Sequence, residues 1–293
     1  MNNQNLYNAK TAKNDEFYTQ LSDIEKELSH YKEHLKGKIV YCNCDDPTFS
    51  NFWKYLHTNF GILKLKKIIS THYSKESPPY KMEYSGGNDL DCSIGLKTPL
   101  IGDGDFRSRE CIEVLKQSDV VVTNPPFSLF SDYATQLIKY DKKFIIIGNM
   151  LAFTYKDIFP LIINNEVRLG YHKLRDFIQK DGTIKGIHVA RWLTNFSISK
   201  KQEHLNLTER YTPEKYPKYD NYDAINVDKT IEIPKDYFGA MGVPFSFLDK
   251  YSPDQFEIIG CNAAPPPIKR LTLNGKVPFK RIIIKRKIVT TAP

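Results

Sequence analysis

The sequence predicts an α/β protein whose main body is a parallel sheet covered by helices on both faces, followed by a smaller C-terminal part. Three observations carry this. Short apolar, β-rich runs alternate with segments of helical period through the first half of the chain. The runs end in turns rich in Asp, Asn, Gly and Pro. Beyond Lys200 the chain turns to Tyr, Asn, Asp, Lys and Pro without helical period. With 293 residues, 41% hydrophobic and 26% charged, there is apolar material for one large domain and an appendage.

The elements follow in order. KIVYCNC (Lys38 to Cys44) reads as the first strand, stopped by Asp45-Asp46-Pro47, after which Thr48 or Ser50 caps a helix with Phe52, Tyr55 and Leu56 on one face. A second strand is expected at Lys67 to Ser70, and a hairpin from Tyr80 to Lys97 around Ser85-Gly86-Gly87-Asn88. The loop Gly102-Asp103-Gly104-Asp105-Phe106 precedes a helix from Ser108 to Gln117. Asp119 to Thr123 is a β-branched strand ending at Asn124-Pro125-Pro126-Phe127, with a helix from Leu129 to Tyr140. KFIIIG (Lys143 to Gly148) is another strand, with a helix near Tyr155 to Asn164, then strands at Val167 to Tyr171 and Val189 to Ser199 with a polar stretch between them. The expected division is a domain of residues 1–203 and a region of residues 204–293.

The charge is uneven. The net charge is +8, and Lys269, Arg270, Lys276, Lys280, Arg281, Lys285, Arg286 and Lys287 account for all of it without an intervening acid. Such a stretch suits a phosphate backbone, because each neutralised phosphate releases counterions; the blander reading is a solvated basic tail behind the stiff break Pro265 to Pro267. Five cysteines at irregular spacing fit reduced thiols, and Cys42 and Cys44 have no second ligand pair to complete a metal site. The opening MNNQNLYNAK is polar, and no window reaches about eighteen uninterrupted apolar residues, so the expected setting is cytoplasmic, with neither membrane nor metal.

Chemistry is expected where strands end, because open parallel sheets bind ligands beyond their carboxyl ends. Asp45 and Asp46, Asp103 and Asp105, and Asn124 to Phe127 all fall there. An adenine amine is a poor nucleophile because its lone pair is delocalised into the ring. Two acceptors aimed at its N–H bonds hold it so that the lone pair faces a methyl donor. The Asn124 side-chain oxygen and the Pro125 carbonyl can supply both, Pro126 stiffens the turn, and Phe127 can stack on the base. An amine paired inside a duplex must first leave the stack. Taken alone, the same four residues are also an ordinary proline turn.

These motifs together resemble the amino-methyltransferases, and most closely the EcoRI family of DNA adenine methylases. The resemblance rests on NDEFYTQ (Asn14 to Gln20), VYCNCDDP (Val40 to Pro47), GDGDFRS (Gly102 to Ser108), VVTNPPFS (Val121 to Ser128), YPKYDNYDAIN (Tyr216 to Asn226) and MGVPFSFLDKY (Met241 to Tyr251). It implies a Rossmann-like, seven-stranded methyltransferase sheet with its last strand, Val189 to Ser199, antiparallel. The implied activity is methyl transfer from S-adenosylmethionine to N6 of an adenine in double-stranded DNA by a monomeric enzyme, the modification arm of a restriction-modification system. Asn124, Pro125, Pro126 and Phe127 would handle the adenine. Phe17, Tyr18 and Thr19, Asn43, Asp45 and Asp46, and Asp103, Asp105 and Phe106 would bind the cofactor. Lys218, Asn221, Asn226, Lys269, Arg270, Lys280 and Arg281 are the DNA-binding candidates. The chain departs from most proteins of this fold in having no glycine in the Asn43 to Pro47 turn and no acid at the end of the second strand, so Asp46 is the candidate for the ribose hydroxyls. The competing substrates are cytosine N4, RNA and protein amides, whose nitrogens ask for the same acceptors. The competing class is a non-catalytic DNA-binding or defence protein, against which the intact NPPF stands.

Overall fold

The computed structural model describes residues 18–74, 77–87, 89, 91–179, 182–197, 204–262 and 271–287. Phe17, Lys269, Arg270 and the Pro265 to Pro267 break lie outside the described residues. The chain divides into two compact units, Met1–Ala152 with Val167–Ile198 and Phe153–Glu166 with Ser199–Pro293. The stretch Phe153–Glu166 thus belongs with the second unit, which a linear reading does not anticipate.

In the first unit the strands are, in chain order, β1 (Tyr18–Thr19), β2 (Ile39–Cys42), β3 (Lys67–His72), β4 (Tyr80–Tyr84), β5 (Leu96–Pro99), β6 (Val120–Thr123), β7 (Lys143–Asn149), β8 (Arg168–Lys173), β9 (Asp176–Ile178), β10 (Ile184–Gly186) and β11 (Ala190–Thr194). The longer helices are α1 (Leu21–Leu28), α2 (Asn51–Thr58), α3 (Arg109–Gln117) and α4 (Phe130–Lys139). Eight strands form one sheet in the order β5-β4-β3-β2-β6-β7-β11-β8. β3, β2, β6 and β7 are parallel, while β4, β5, β11 and β8 run antiparallel to their neighbours. The expectation of a parallel sheet of seven strands with only its last strand antiparallel is therefore corrected: the sheet has eight strands, four of them antiparallel to their neighbours. The difference arises at the edges, where the β4–β5 hairpin and β8 need no helical crossover. The antiparallel strand expected at Val189 to Ser199 is present as β11, paired with β7.

Side-chain alternation buries both faces. Val40, Cys42, Val122, Ile145 and Ile147 join Phe52, Trp53 and Leu56 of α2 in one core. Tyr41, Phe144 and Ile146, pointing the other way, are fully buried as well, as are Cys111 of α3 and Tyr133 of α4. Each such side chain contributes about 1.5 to 3 kcal/mol of transfer free energy. The helices begin where the sequence signals it: the Ser50 hydroxyl accepts from Phe52 N at 3.1 Å and Trp53 N at 3.2 Å, and that of Ser108 from Cys111 N at 3.2 Å. β1, β9 and β10 form a separate three-stranded sheet.

The second unit contains α5 (Phe159–Ile163) and a four-stranded sheet of β12 (Ala224–Asn226), β13 (Ala240–Pro244), β14 (Phe256–Cys261) and β15 (Arg281–Arg286), ordered β12-β13-β15-β14. The basic stretch is thus partly a central strand rather than a tail, since Ile282, Ile283 and Ile284 are fully buried between β13 and β14. Gly242 of β13 lets Tyr219 lie against the strand; a Cβ there would meet the Tyr219 hydroxyl at 2.3 Å.

Candidate active site

From β2 the chain moves outward to β3, then returns to the opposite side of β2 as β6. The carboxyl ends of β2 and β6 therefore flank the point where strand order reverses, the place for a crevice in such sheets. Asn43 to Asp46 follow β2, and Asn124 to Phe127 follow β6.

Asp45 ties these two turns together. Its carboxylate accepts from the Ser50 hydroxyl at 2.8 Å, from the Thr123 hydroxyl and from the Asn124 backbone N–H. Burial pushes the Asp45 carboxyl up to about 6, against the opposing pull of those three donors. The Asp45 backbone carbonyl accepts from Ser70, which also donates to Cys42 O at 2.9 Å, so β3 is tied to the same turn. In the NPPF turn Pro125 is buried, and Asn124, Pro126 and Phe127 are half-buried. Phe127 packs on the core and meets Phe177 of β9 edge-on at 6.5 Å. Since Pro125 and Pro126 have no N–H and that of Asn124 is spent on Asp45, no backbone donor of Asn124 to Pro126 competes for an incoming amine.

The cofactor candidates are only partly gathered here. Thr19 of β1 is held through its carbonyl by the Asn51 side chain at 2.8 Å, in the first turn of α2. Asn43 accepts from the Tyr133 hydroxyl. The Thr19 hydroxyl and the Asn43 amide nitrogen are both buried without a hydrogen-bond partner among the described residues. Asp46 accepts from Tyr80 at 2.9 Å and Thr48 N at 2.9 Å, and lies 3.2 Å from His72 Nδ1 at the end of β3. Burial acts to raise the Asp46 carboxyl, but the bonds from Thr48 and Tyr80 and the His72 imidazole hold it below the ordinary carboxylate range. The GDGDF loop approaches the end of β3 closely. Gly104 has φ +79°, and a Cβ there would lie 2.4 Å from His72 O. In that loop Asp103 is exposed and accepts from Asp105 N at 3.0 Å, while Asp105 is gripped by the Arg107 guanidinium at 2.9 and 2.7 Å. Phe106 is buried, with its ring edge-on to Tyr133 at 5.1 Å. Thr123, Asn51, Tyr133 and His72 are supporting residues that the sequence reading missed.

Within the second unit the DNA-binding candidates split. Asn226 and Arg281 belong to one network: Asn226 Oδ1 accepts from Tyr219 at 2.8 Å and from Arg281 Nε at 3.3 Å, and Asn226 Nδ2 donates to Asp228 at 2.8 Å. Asn221 accepts from Thr272 N at 3.0 Å, and Lys218 pairs with exposed Asp223 at 3.1 Å. Lys280 donates to Thr154 at 3.1 Å, and burial lowers its ammonium below the ordinary lysine range. Among the described residues no group of three or more His, Cys, Asp and Glu could hold a metal ion, and no helix is long and apolar enough to cross a membrane. The five cysteines carry no disulfide.

A mixed α/β sheet with a proline-stiffened Asn-Pro-Pro-Phe turn at its switch point defines the class of amino-methyltransferases. The model of one family in that class, described as "Adenine-specific methyltransferase EcoRI", matches residues 5–287, and the chain belongs to that family. It is 46% identical to the Type II methyltransferase M.EcoRI of Escherichia coli, the alignment covering 97% of both chains. It is 40% identical to M.MpnI of Mycoplasma pneumoniae over 88% of this chain and 85% of that one. To M.MgeORF184P of Mycoplasma genitalium it is 36% identical, over 95% and 98%. No solved structure matches.

Proposed function

We propose that this adenine-specific methyltransferase modifies N6 of an adenine rotated out of duplex DNA into the crevice between the ends of β2 and β6, as the modification arm of a restriction-modification system. The observation that carries the reading is the Asp45 clamp, which binds the Asn124 backbone from a buried carboxylate and so fixes the direction in which the NPPF turn presents its acceptors. Asn124 Oδ1 and the Pro125 carbonyl take the two amine protons, Pro126 stiffens the turn, and Phe127 stacks on the base. Orientation of this kind supplies roughly 7 to 11 kcal/mol in favourable systems, so no strong catalytic base is required.

The residues present fit S-adenosylmethionine, which when bound supplies a methyl group on a sulfonium. The Thr19 hydroxyl and Asn43 amide, without a partner among the described residues, offer buried polar atoms to its methionine part, with Tyr18 and Phe17 alongside in sequence. Asp46, held ionised beside His72, is the acid for the ribose hydroxyls in place of the one missing after β3. Asp103, Asp105 and Phe106 form the loop assigned to the adenine end. The 204–293 region, with Lys218, Asn221, Asn226, Lys269, Arg270, Lys280 and Arg281, is the part assigned to DNA recognition, the enzyme acting as a cytoplasmic monomer.

Rotation of the base is tested on duplexes containing the mapped target. Removing the base opposite the target adenine should tighten binding, because unpairing then costs less. Equal affinity for paired and unpaired targets would rule out extrusion.

A further inference from the structure

α4 starts at Phe130, directly after the NPPF turn and the short helical turn Phe127–Leu129. Its Tyr133 and Gln136 lie about one turn apart and so share a face. The Tyr133 hydroxyl donates to Asn43 Oδ1 in the turn after β2, and its ring meets that of Phe106 edge-on at 5.1 Å. Gln136 Nε2 donates to the Phe106 carbonyl at 3.1 Å, across 30 residues of sequence. One face of the helix that follows NPPF therefore reaches both of the loops given cofactor candidates.

The GDGDF loop has a local scaffold on α3. Glu110 accepts from Ile101 N at 3.0 Å and Gly102 N at 2.8 Å, Cys111 Sγ donates to Gly104 O at 3.5 Å, and Asp105 O accepts from Ser108 N at 2.9 Å. Bonds to more distant segments hold it at either end: Ser74 N donates to Asp103 O at 3.1 Å, and Gln136 to Phe106 O. The Gln136 amide is an unusual choice for the second. Its Oε1 is buried with no hydrogen-bond partner among the described residues. A buried acceptor without a donor destabilises a fold, and an apolar side chain of similar size carries no such penalty. What the amide provides is a donor aimed at Phe106 O, so the position of the loop explains it better than stability does.

We propose that Gln136 is a positioning residue for the cofactor: it holds the Phe106 carbonyl so that the GDGDF loop is set for the adenine end of S-adenosylmethionine, at the expense of stability. The proposal rests on the assignment of that loop to the cofactor made above. Gln136 acts through Phe106 and contacts neither reactant. Because α4 also follows the NPPF turn, the cofactor loop and the turn that holds the amine are fixed on one element, which favours a constant distance between methyl donor and acceptor.

The test uses the full chain with Gln136→Leu, which removes the donor and the unmet acceptor together, and Gln136→Glu, which keeps the shape. S-adenosylmethionine affinity is read by calorimetry and the Tm of the ligand-free protein by circular dichroism. Gln136→Leu should weaken the cofactor Kd by roughly fivefold to tenfold, as the loss of one hydrogen bond does, while Tm stays level or rises. Gln136→Glu should bind weakly while ionised, because its carboxylate then faces a carbonyl. Its affinity relative to the wild type at the same pH should recover as the carboxyl is protonated and can donate an O–H. Unchanged cofactor affinity in Gln136→Leu would overturn the proposal. A Tm lowered by several degrees would overturn it too, by making Gln136 a structural residue, as would a glutamate variant with no recovery at low pH. A wild type that does not bind S-adenosylmethionine, or Phe106→Ala binding it as the wild type does, would refute the cofactor reading itself and this proposal with it. A wild type that binds and methylates beside an unaffected Gln136→Leu refutes the proposal alone.

Discussion

Asp45 shows how much of a site hangs on one buried carboxylate. Desolvation favours its protonated form, while Ser50, Thr123 and the Asn124 N–H favour the ionised one, and the outcome is a group titrating at about 6. An acid whose folded value lies above its unfolded value of about 4 makes the folded chain bind an extra proton between the two. Its contribution to stability therefore falls as pH rises from about 4 to about 6 and is level above that, by roughly 3 kcal/mol in all. Urea unfolding of the wild type and Asp45→Asn between about pH 4 and pH 8 should give a difference that declines across that window. A difference independent of pH would mean that Asp45 ionises at its ordinary value. The position of Asp45 and of NPPF at strand ends was legible in the sequence. Their coupling was not, because Thr123 lies 78 residues from Asp45, and Tyr133 lies 90 from Asn43, with nothing local to announce either bond.

At the scale of elements, the strands and helices from β2 to β7 could be read from alternation, apolar period and the Ser50 and Ser108 caps. What escaped was what depends on distant pairing: the joining of β1 to β9, the docking of the β4–β5 hairpin on β3 and of β8 on β11, and the four-stranded sheet of the second unit. β12 has only 3 residues and β9 only 3, too few for a period to register. β15 was hidden differently, because Lys and Arg at both ends of Ile282 to Ile284 make a buried central strand look like part of a basic run. Ile283→Ala should cost about 2 to 5 kcal/mol in chemical unfolding, as a truncation in a packed core does. A change within about 0.5 kcal/mol, the usual range for a surface site, would instead describe a solvated tail.

For the whole molecule, the basic charge behind the net +8 falls into more than one structural setting. Part of it flanks a core strand in the second unit, where Arg281 and Lys280 are committed to internal bonds. A separate set, Lys173, Arg175 and Arg191, lines a cavity at the carboxyl end of β7 in the first unit. Charge counted along the chain pointed to the C-terminus alone, because the second set is spread over loops that only the sheet brings together. Family membership gives the reaction, methyl transfer to adenine, and the proposal places the amine between Asn124 and Pro125. That reaction is measured directly by mass spectrometry of nucleosides from unmethylated duplex DNA incubated with the purified protein and S-adenosylmethionine, with Asn124→Ala in parallel. N6-methyladenine should form with the wild type and fall by about 10² or more in the variant, as when one preorganised polar partner is lost, while cofactor binding is retained. Methylcytosine from the wild type, or undiminished N6-methyladenine from Asn124→Ala, would contradict it.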